Sequence, residues 1–147
     1  MFYLDTSFIA PLVLNETTSA EIEAFLIRQP AGILAVSQWT RVEFTSLVAR
    51  EVRMKNFTLQ IAGMVLDEFE ALINQSCQIW LPGVADYELA RKFVTNFDSG
   101  LRGGDALHLA IAKNQGASVL LTLDEGLLNA AGLFSIPASR GIIAGNQ

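Results

Sequence analysis

The apolar residues of this chain follow two rhythms, and their alternation leaves few folds open. Phe2-Tyr3-Leu4, Ile33-Leu34-Ala35-Val36, Gln78-Ile79-Trp80-Leu81 and Ser118-Val119-Leu120-Leu121 are brief, nearly continuous apolar runs. Between them the spacing becomes helical: Ala62, Val65, Leu66, Phe69, Leu72 and Ile73 recur at i, i+3, i+4 and i+7. A short strand without polar alternation is covered on both faces, as in parallel sheets flanked by helices. The pattern predicts an α/β fold with a short, mainly parallel sheet between helical layers.

Local signals place the ends of the elements. Thr18 and Glu21 form a capping-box pattern before Ile22, Phe25 and Leu26, with a stop near Pro30 and Gly32. Ser37 is a candidate N-cap for a helix through Phe44, Leu47, Val48 and Val52 toward Lys55. Further helices are predicted from Asp86 to Phe97, from about Asp105 to Gln115, and from Gly126 to Ala131. Leu133-Phe134-Ser135-Ile136 reads as a last edge strand before Pro137, and residues 137–147 as a loose tail. With 147 residues and no linker or repeat, a single domain over 1–147 is expected.

Charge and cysteine use exclude some classes. Ten Lys plus Arg against fifteen Asp plus Glu give a net charge of −5, the wrong sign for broad, non-specific phosphate binding. Cys77 stands alone, so no intrachain disulfide forms. The N-terminus lacks a basic leader, and the apolar stretch Phe8 to Leu14, interrupted by Pro11, is far shorter than the ~20 residues of a membrane span. A cytoplasmic protein without a membrane partner is expected.

Four acids stand where such a fold concentrates its chemistry. Asp5 follows the first strand directly and Asp124 follows the fourth closely; Glu43 lies early in the helix after the second strand, and Asp105 opens a helix behind two glycines. Ligands of open parallel sheets bind beyond the carboxyl ends of the strands, so the four can converge. Converging carboxylates repel one another, and a hard cation such as Mg²⁺ or Mn²⁺ would relieve the repulsion. With phosphate oxygens and water completing its shell, such a cation supports phosphodiester hydrolysis. Each acid also has an ordinary structural reading: capping or turn formation for Asp5 and Asp124, the helix dipole for Asp105, a solvated face for Glu43. Trp39 and Leu47, one turn either side of Glu43, are unusual company for a solvated glutamate.

Leu4-Asp5-Thr6-Ser7, Val42-Glu43-Phe44, the segment Leu101 to Ala110 with Gly103-Gly104-Asp105-Ala106-Leu107-His108 at its centre, and Thr122-Leu123-Asp124 together resemble the PIN-domain family, in particular VapC-type toxins of toxin–antitoxin pairs. The matches come in family order over residues 1 to about 136. The resemblance implies a PIN-like three-layer sandwich and a Mg²⁺- or Mn²⁺-dependent endoribonuclease. Asp5, Glu43, Asp105 and Asp124 match the metal-site and catalytic acids; Thr6, Ser7 and Thr122 match supporting polar positions. It further implies a homodimer and a cognate antitoxin that plugs the site. Glu125-Gly126 after Asp124 departs from the family pattern, and Glu125 reads as a helix start.

Other residues carry weaker signals. His108, the sole histidine, could act as a base but reads better as a hydrogen-bonded core or interface residue. Arg41 and Arg102 are candidate RNA-phosphate contacts, and solvated roles suit them equally. Trp39 and Trp80 fit packing better than base stacking. A Mg²⁺-dependent phosphatase would want a second acid two residues after Asp5, where Ser7 stands; a phosphate-accepting receiver would want an acid after the third strand, where Pro82-Gly83 stands. A catalytically inactive PIN module would not need all four acids.

Overall fold

In the computed structural model, which describes residues 1–142, the strands are β1 (Phe2–Leu4), β2 (Leu34–Ser37), β3 (Gln78–Trp80), β4 (Val119–Leu121) and β5 (Ala138–Ser139). The helices are α1 (Thr6–Ile9), α2 (Pro11–Leu14), α3 (Ser19–Ile27), α4 (Gln38–Arg53), α5 (Leu59–Ser76), α6 (Val84–Val94), α7 (Gly103–Asn114) and α8 (Glu125–Leu133). All strand pairs are parallel, in the order β3-β2-β1-β4-β5. The sheet separates two cores. Tyr3, Ala35 and Leu120 face one, with α6, α7 and α8; Leu4, Val36 and Leu121 face the other, with α1 to α5. This is the period-two alternation of a strand buried on both sides, so the expected α/β sandwich stands.

Central β1 lies between β2 and β4, with Phe2 paired to both Leu34 and Val119. The carboxyl ends of β1 and β4 therefore lie side by side, the order that brings Asp5 to Asp124. Ser37 caps α4 as expected, accepting the Thr40 N–H, while Thr40 Oγ1 accepts the Ser37 N–H. Phe44 of α4 stacks on Phe69 of α5 at 3.9 Å between ring centroids, locking the helix that carries Glu43.

Several boundaries differ from expectation. The run Leu133 to Ile136 is not a strand: α8 continues to Leu133, Ser135 turns left-handed at φ 55, and buried Ile136 plugs the core. Its apolarity serves a helix end and a core plug. The edge strand is instead the weakly apolar pair Ala138–Ser139, held where the Leu120 N–H donates to the Pro137 carbonyl. The first part of the predicted loose tail is thus in the sheet, and Ile142 packs against the core; residues 143–147 lie outside the described residues. Helices α1 and α2 carry no apolar period long enough to predict, but Asp5 caps one and Pro11 starts the other. Thr18 makes no side-chain cap bond; the neighbouring Ser19 hydroxyl donates to the Pro11 carbonyl. Helix α6 stops at Val94, short of Phe97, which begins a separate 3₁₀ turn. Among the described residues no helix is long and apolar enough to cross a membrane.

Candidate active site

Asp5, Glu43, Asp105 and Asp124 line one cavity of about 260 Å³, together with Thr6, Ser7, Leu47 and His108. They come from the end of β1, the second turn of α4, the first turn of α7 and the N-cap of α8. The structure thus brings together all four predicted acids and two of the three predicted supporting residues. The third, Thr122, stands just behind, fully buried.

For Asp5 and Asp124 the capping role and the shared cavity coexist. Asp5 Oδ1 accepts the Phe8 N–H at 2.9 Å and caps α1; Asp124 Oδ1 accepts the Leu127 N–H at 2.7 Å and caps α8. A cap uses one oxygen of the carboxylate and fixes where the other points. The Thr122 hydroxyl donates to Asp5 Oδ2 at 2.6 Å and accepts the Asp124 N–H at 3.1 Å. The Ser7 hydroxyl donates to Asp5 at 2.8 Å and accepts the Leu123 N–H at 2.9 Å. Two hydroxyls therefore stitch the end of β1 to the end of β4.

Glu43 is held differently. Its Oε2 accepts from Thr6 Oγ1 and from His108 Nε2, each at 2.5 Å. Burial raises its pKa, but the hydrogen bonds from His108 and Thr6 and the nearby Trp39 indole outweigh burial and hold it below the usual range. The Trp39 N–H faces this carboxylate without reaching hydrogen-bond geometry. A β-carbon on Gly104 would lie 2.9 Å from Glu43 Oε1 and 3.1 Å from Trp39 Cζ2, so any side chain there would have to displace Glu43 or Trp39.

The other two shifts run upward. Burial raises the Asp5 carboxyl despite its hydroxyl and backbone donors. Burial also raises Asp105, and repulsion from Asp124, Glu43 and Asp5 adds to it. Such mutual repulsion is the signature of a cluster that a cation would stabilise. The donors are hard carboxylate oxygens, and Cys77 lines a different groove. Among the described residues no three His, Cys, Asp or Glu side chains enclose a single point. The four carboxylates that line the cavity are hard donors of the kind that suit Mg²⁺ or Mn²⁺.

The remaining candidates separate. Arg102 is exposed at the N-cap of α7, near Asp105 in the chain. Arg41 does not line the cavity: Glu70 binds its guanidinium through two bonds, and Gln38 accepts a third. Glu125 also stays outside, in the first turn of α8 and paired with Arg140. Trp80 lies flat on Tyr3 at 5.5 Å, a packing role. A larger, mainly apolar groove of about 800 Å³ between α6 and α7 adjoins the acids at Trp39 and Gly104. His108 is a hydrogen-bonded core residue, as expected, yet it also contacts the site through Glu43. Its bond to Tyr3 and the burial of Asp86 have no local signal in the sequence.

The model of the PIN domain family matches residues 2–133. The chain belongs to the PIN domain family. Its fold is also that of solved PIN-type structures. VapC20 of Mycobacterium tuberculosis, a sarcin–ricin-loop-cleaving toxin, superposes with a TM-score of 0.71 at 16% identity, over 88% of this chain and 95% of that one. FitAcB of Neisseria gonorrhoeae gives 0.70 at 20% identity, over 96% and 98%. VapBC-1 of nontypeable Haemophilus influenzae gives 0.67 at 16% identity, over 95% and 97%. No curated protein sequence matches the chain.

Proposed function

We propose that this PIN-domain chain is a metal-dependent endoribonuclease, the VapC-type toxin of a type II toxin–antitoxin pair. The observation that carries the reading is the meeting of four acids from four segments in one cavity at the carboxyl edge of the sheet. Asp5, Glu43, Asp105 and Asp124 would hold Mg²⁺ or Mn²⁺. The bound cation would supply activation of a water and stabilisation of charge on a scissile phosphate.

The chain's own residues prepare that chemistry. Thr122 and Ser7 hold the Asp5 carboxylate. Thr6 and His108 hold Glu43. Asp105, the acid whose carboxyl burial and its neighbours raise together, would gain from a cation's charge. Arg102, on the exposed approach, is the candidate contact to RNA phosphate. The likeness to VapC20, a sarcin–ricin-loop-cleaving toxin, and to VapBC-1 supports RNA as substrate and an antitoxin as partner. With a net charge of −5, the chain suits an antitoxin that presents a basic segment to the acidic cavity. A homodimer in the cytoplasm completes the proposal.

Purified protein is expected to cut RNA with Mg²⁺ or Mn²⁺ and to lose this activity as Asp5→Asn or Asp105→Asn. Cleavage that persists in excess EDTA overturns the reading.

A further inference from the structure

Behind Glu43 runs a line of buried polar groups that the four acids do not explain. Tyr3 is fully buried in β1, and its hydroxyl lies 2.8 Å from both Ser37 Oγ and His108 Nδ1. His108 is 1% exposed, and its other nitrogen meets Glu43 Oε2 at 2.5 Å. Ser37 in turn caps α4, the helix that carries Glu43. A buried tyrosine hydroxyl and a buried imidazole are costly in an apolar core unless every donor finds an acceptor.

The line has one consistent direction. A phenol hydroxyl buried between Ser37 and His108 can donate as well as accept. An ionised Glu43 only accepts, which puts a proton on His108 Nε2. In the neutral imidazole Nδ1 then accepts from Tyr3, and the Tyr3 oxygen accepts from Ser37. With Thr6 as second donor, Glu43 Oε2 is saturated, while Oε1 accepts no hydrogen bond among the described residues. Gly104 leaves space on that side.

We propose that Tyr3 and His108 are positioning residues: they pin Oε2 of Glu43 from the core and leave Oε1 as the atom that meets the cation. The inference rests on the metal-nuclease reading, but it concerns metal binding and is tested by metal binding. Hydrogen bonds behind a metal-ligating carboxylate typically change metal affinity by about 10–100-fold when removed.

The test uses Mn²⁺ alone, titrated by calorimetry into the full chain and into His108→Asn, His108→Gln and Tyr3→Phe. The Asn amide lies where Nδ1 was and falls short of Glu43; the Gln amide reaches the place of Nε2. Mn²⁺ affinity should fall by about 10–100-fold in His108→Asn and return to within several-fold of the parent in His108→Gln. Tyr3→Phe keeps the ring on Trp80, so it tests the hydroxyl alone. The chain has one histidine, so its imidazole ¹⁵N resonances need no assignment. They should show the Nε2–H tautomer in the parent and keep it in Tyr3→Phe, where only the Nδ1 resonance moves as it loses its donor. Equal affinity in all variants, equal loss in both His108 variants, no Mn²⁺ binding by the parent, or an Nδ1–H tautomer in the parent each overturns the proposal. If the affinities follow the expected order but no RNA is cut, the positioning role stands and the nuclease reading falls. If RNA is cut while the affinities stay flat, the nuclease stands and the positioning role falls.

Discussion

Asp5 and Asp86 are almost equally buried, at 4% and 3% exposure, yet their surroundings differ in kind. Asp86 Oδ2 accepts the Gly83 N–H, and its Oδ1 accepts the Asn114 amide, each at 2.8 Å. These neutral donors tie the start of α6 to the last residue of α7. Asp5 is equally well hydrogen-bonded, but it shares its cavity with three further acids. Asn114 and Asp105 are nine residues apart on α7, about 13 Å along a helix, so one hairpin carries a structural acid at one end and a candidate ligand at the other. Burial and hydrogen bonding therefore do not separate the candidate ligand Asp5 from the structural acid Asp86; acidic neighbours do.

The sharpest way to break this contrast is to neutralise each aspartate. Asp5→Asn should lower metal-dependent RNA cleavage on the order of 10³-fold or more, while leaving stability near neutral pH within about 1 kcal/mol, because Asn still caps α1. Asp86→Ala should do the reverse. It should cost about 1–3 kcal/mol in urea unfolding, for two lost buried hydrogen bonds, with cleavage per folded molecule unchanged. A loss of cleavage in Asp86→Ala beyond the fraction unfolded would erase the distinction.

Gly104→Ala probes the boundary between structure and site. Its methyl group must displace Glu43 Oε1 or Trp39, and cleavage should fall about 10-fold or more with little change in unfolding. The pH dependence of stability sharpens the comparison next. Burial raises the Asp5 and Asp105 carboxyls above 3.8, so the folded chain binds these protons more tightly than the unfolded chain does. Metal-free protein should gain stability as pH falls from neutral through those raised values, with no further gain below 3.8. Glu43, held below 4.5, opposes this only at the acid end, losing its contribution as pH falls through its lowered value. Thermal melts without metal should show the rise, excess Mg²⁺ should flatten it, and Asp5→Asn should remove the part due to Asp5. The smallest effect is reserved for Arg41→Ala. Both members of the Arg41–Glu70 pair are more than a third exposed, so stability should shift by about 0.5 kcal/mol or less, with cleavage unchanged.

Local signals made much of the fold legible. Four apolar runs became β1 to β4, Ser37 became the cap of α4, and the Ala62 to Ile73 period became the buried face of α5. Where the reading failed, apolarity served another purpose, as at Leu133 to Ile136, or the element was too short to show a period, as in α1, α2 and β5. Asp5, Asp105 and Asp124 were legible because each sits beside a strand end or a helix start; Glu43, in the second turn of α4, was marked instead by Trp39 and Leu47. Arg41 was misleading: Glu70, its partner, is 29 residues away on another helix.

By itself the sequence determined which segments are strands and helices, where most of them are capped, and which acids stand at their ends. These are effects of neighbours within a few residues. Only the tertiary structure decided which of those ends share a cavity. The contacts that build the site join Thr6 to Glu43 across 37 residues, His108 to Glu43 across 65, Tyr3 to His108 across 105 and Thr122 to Asp5 across 117. They follow from the strand order β3-β2-β1-β4-β5, which sets the ends of β1 and β4 side by side. No local spacing encodes that order; it puts β2, β1 and β4 inside the sheet, where each contributes buried residues to both cores.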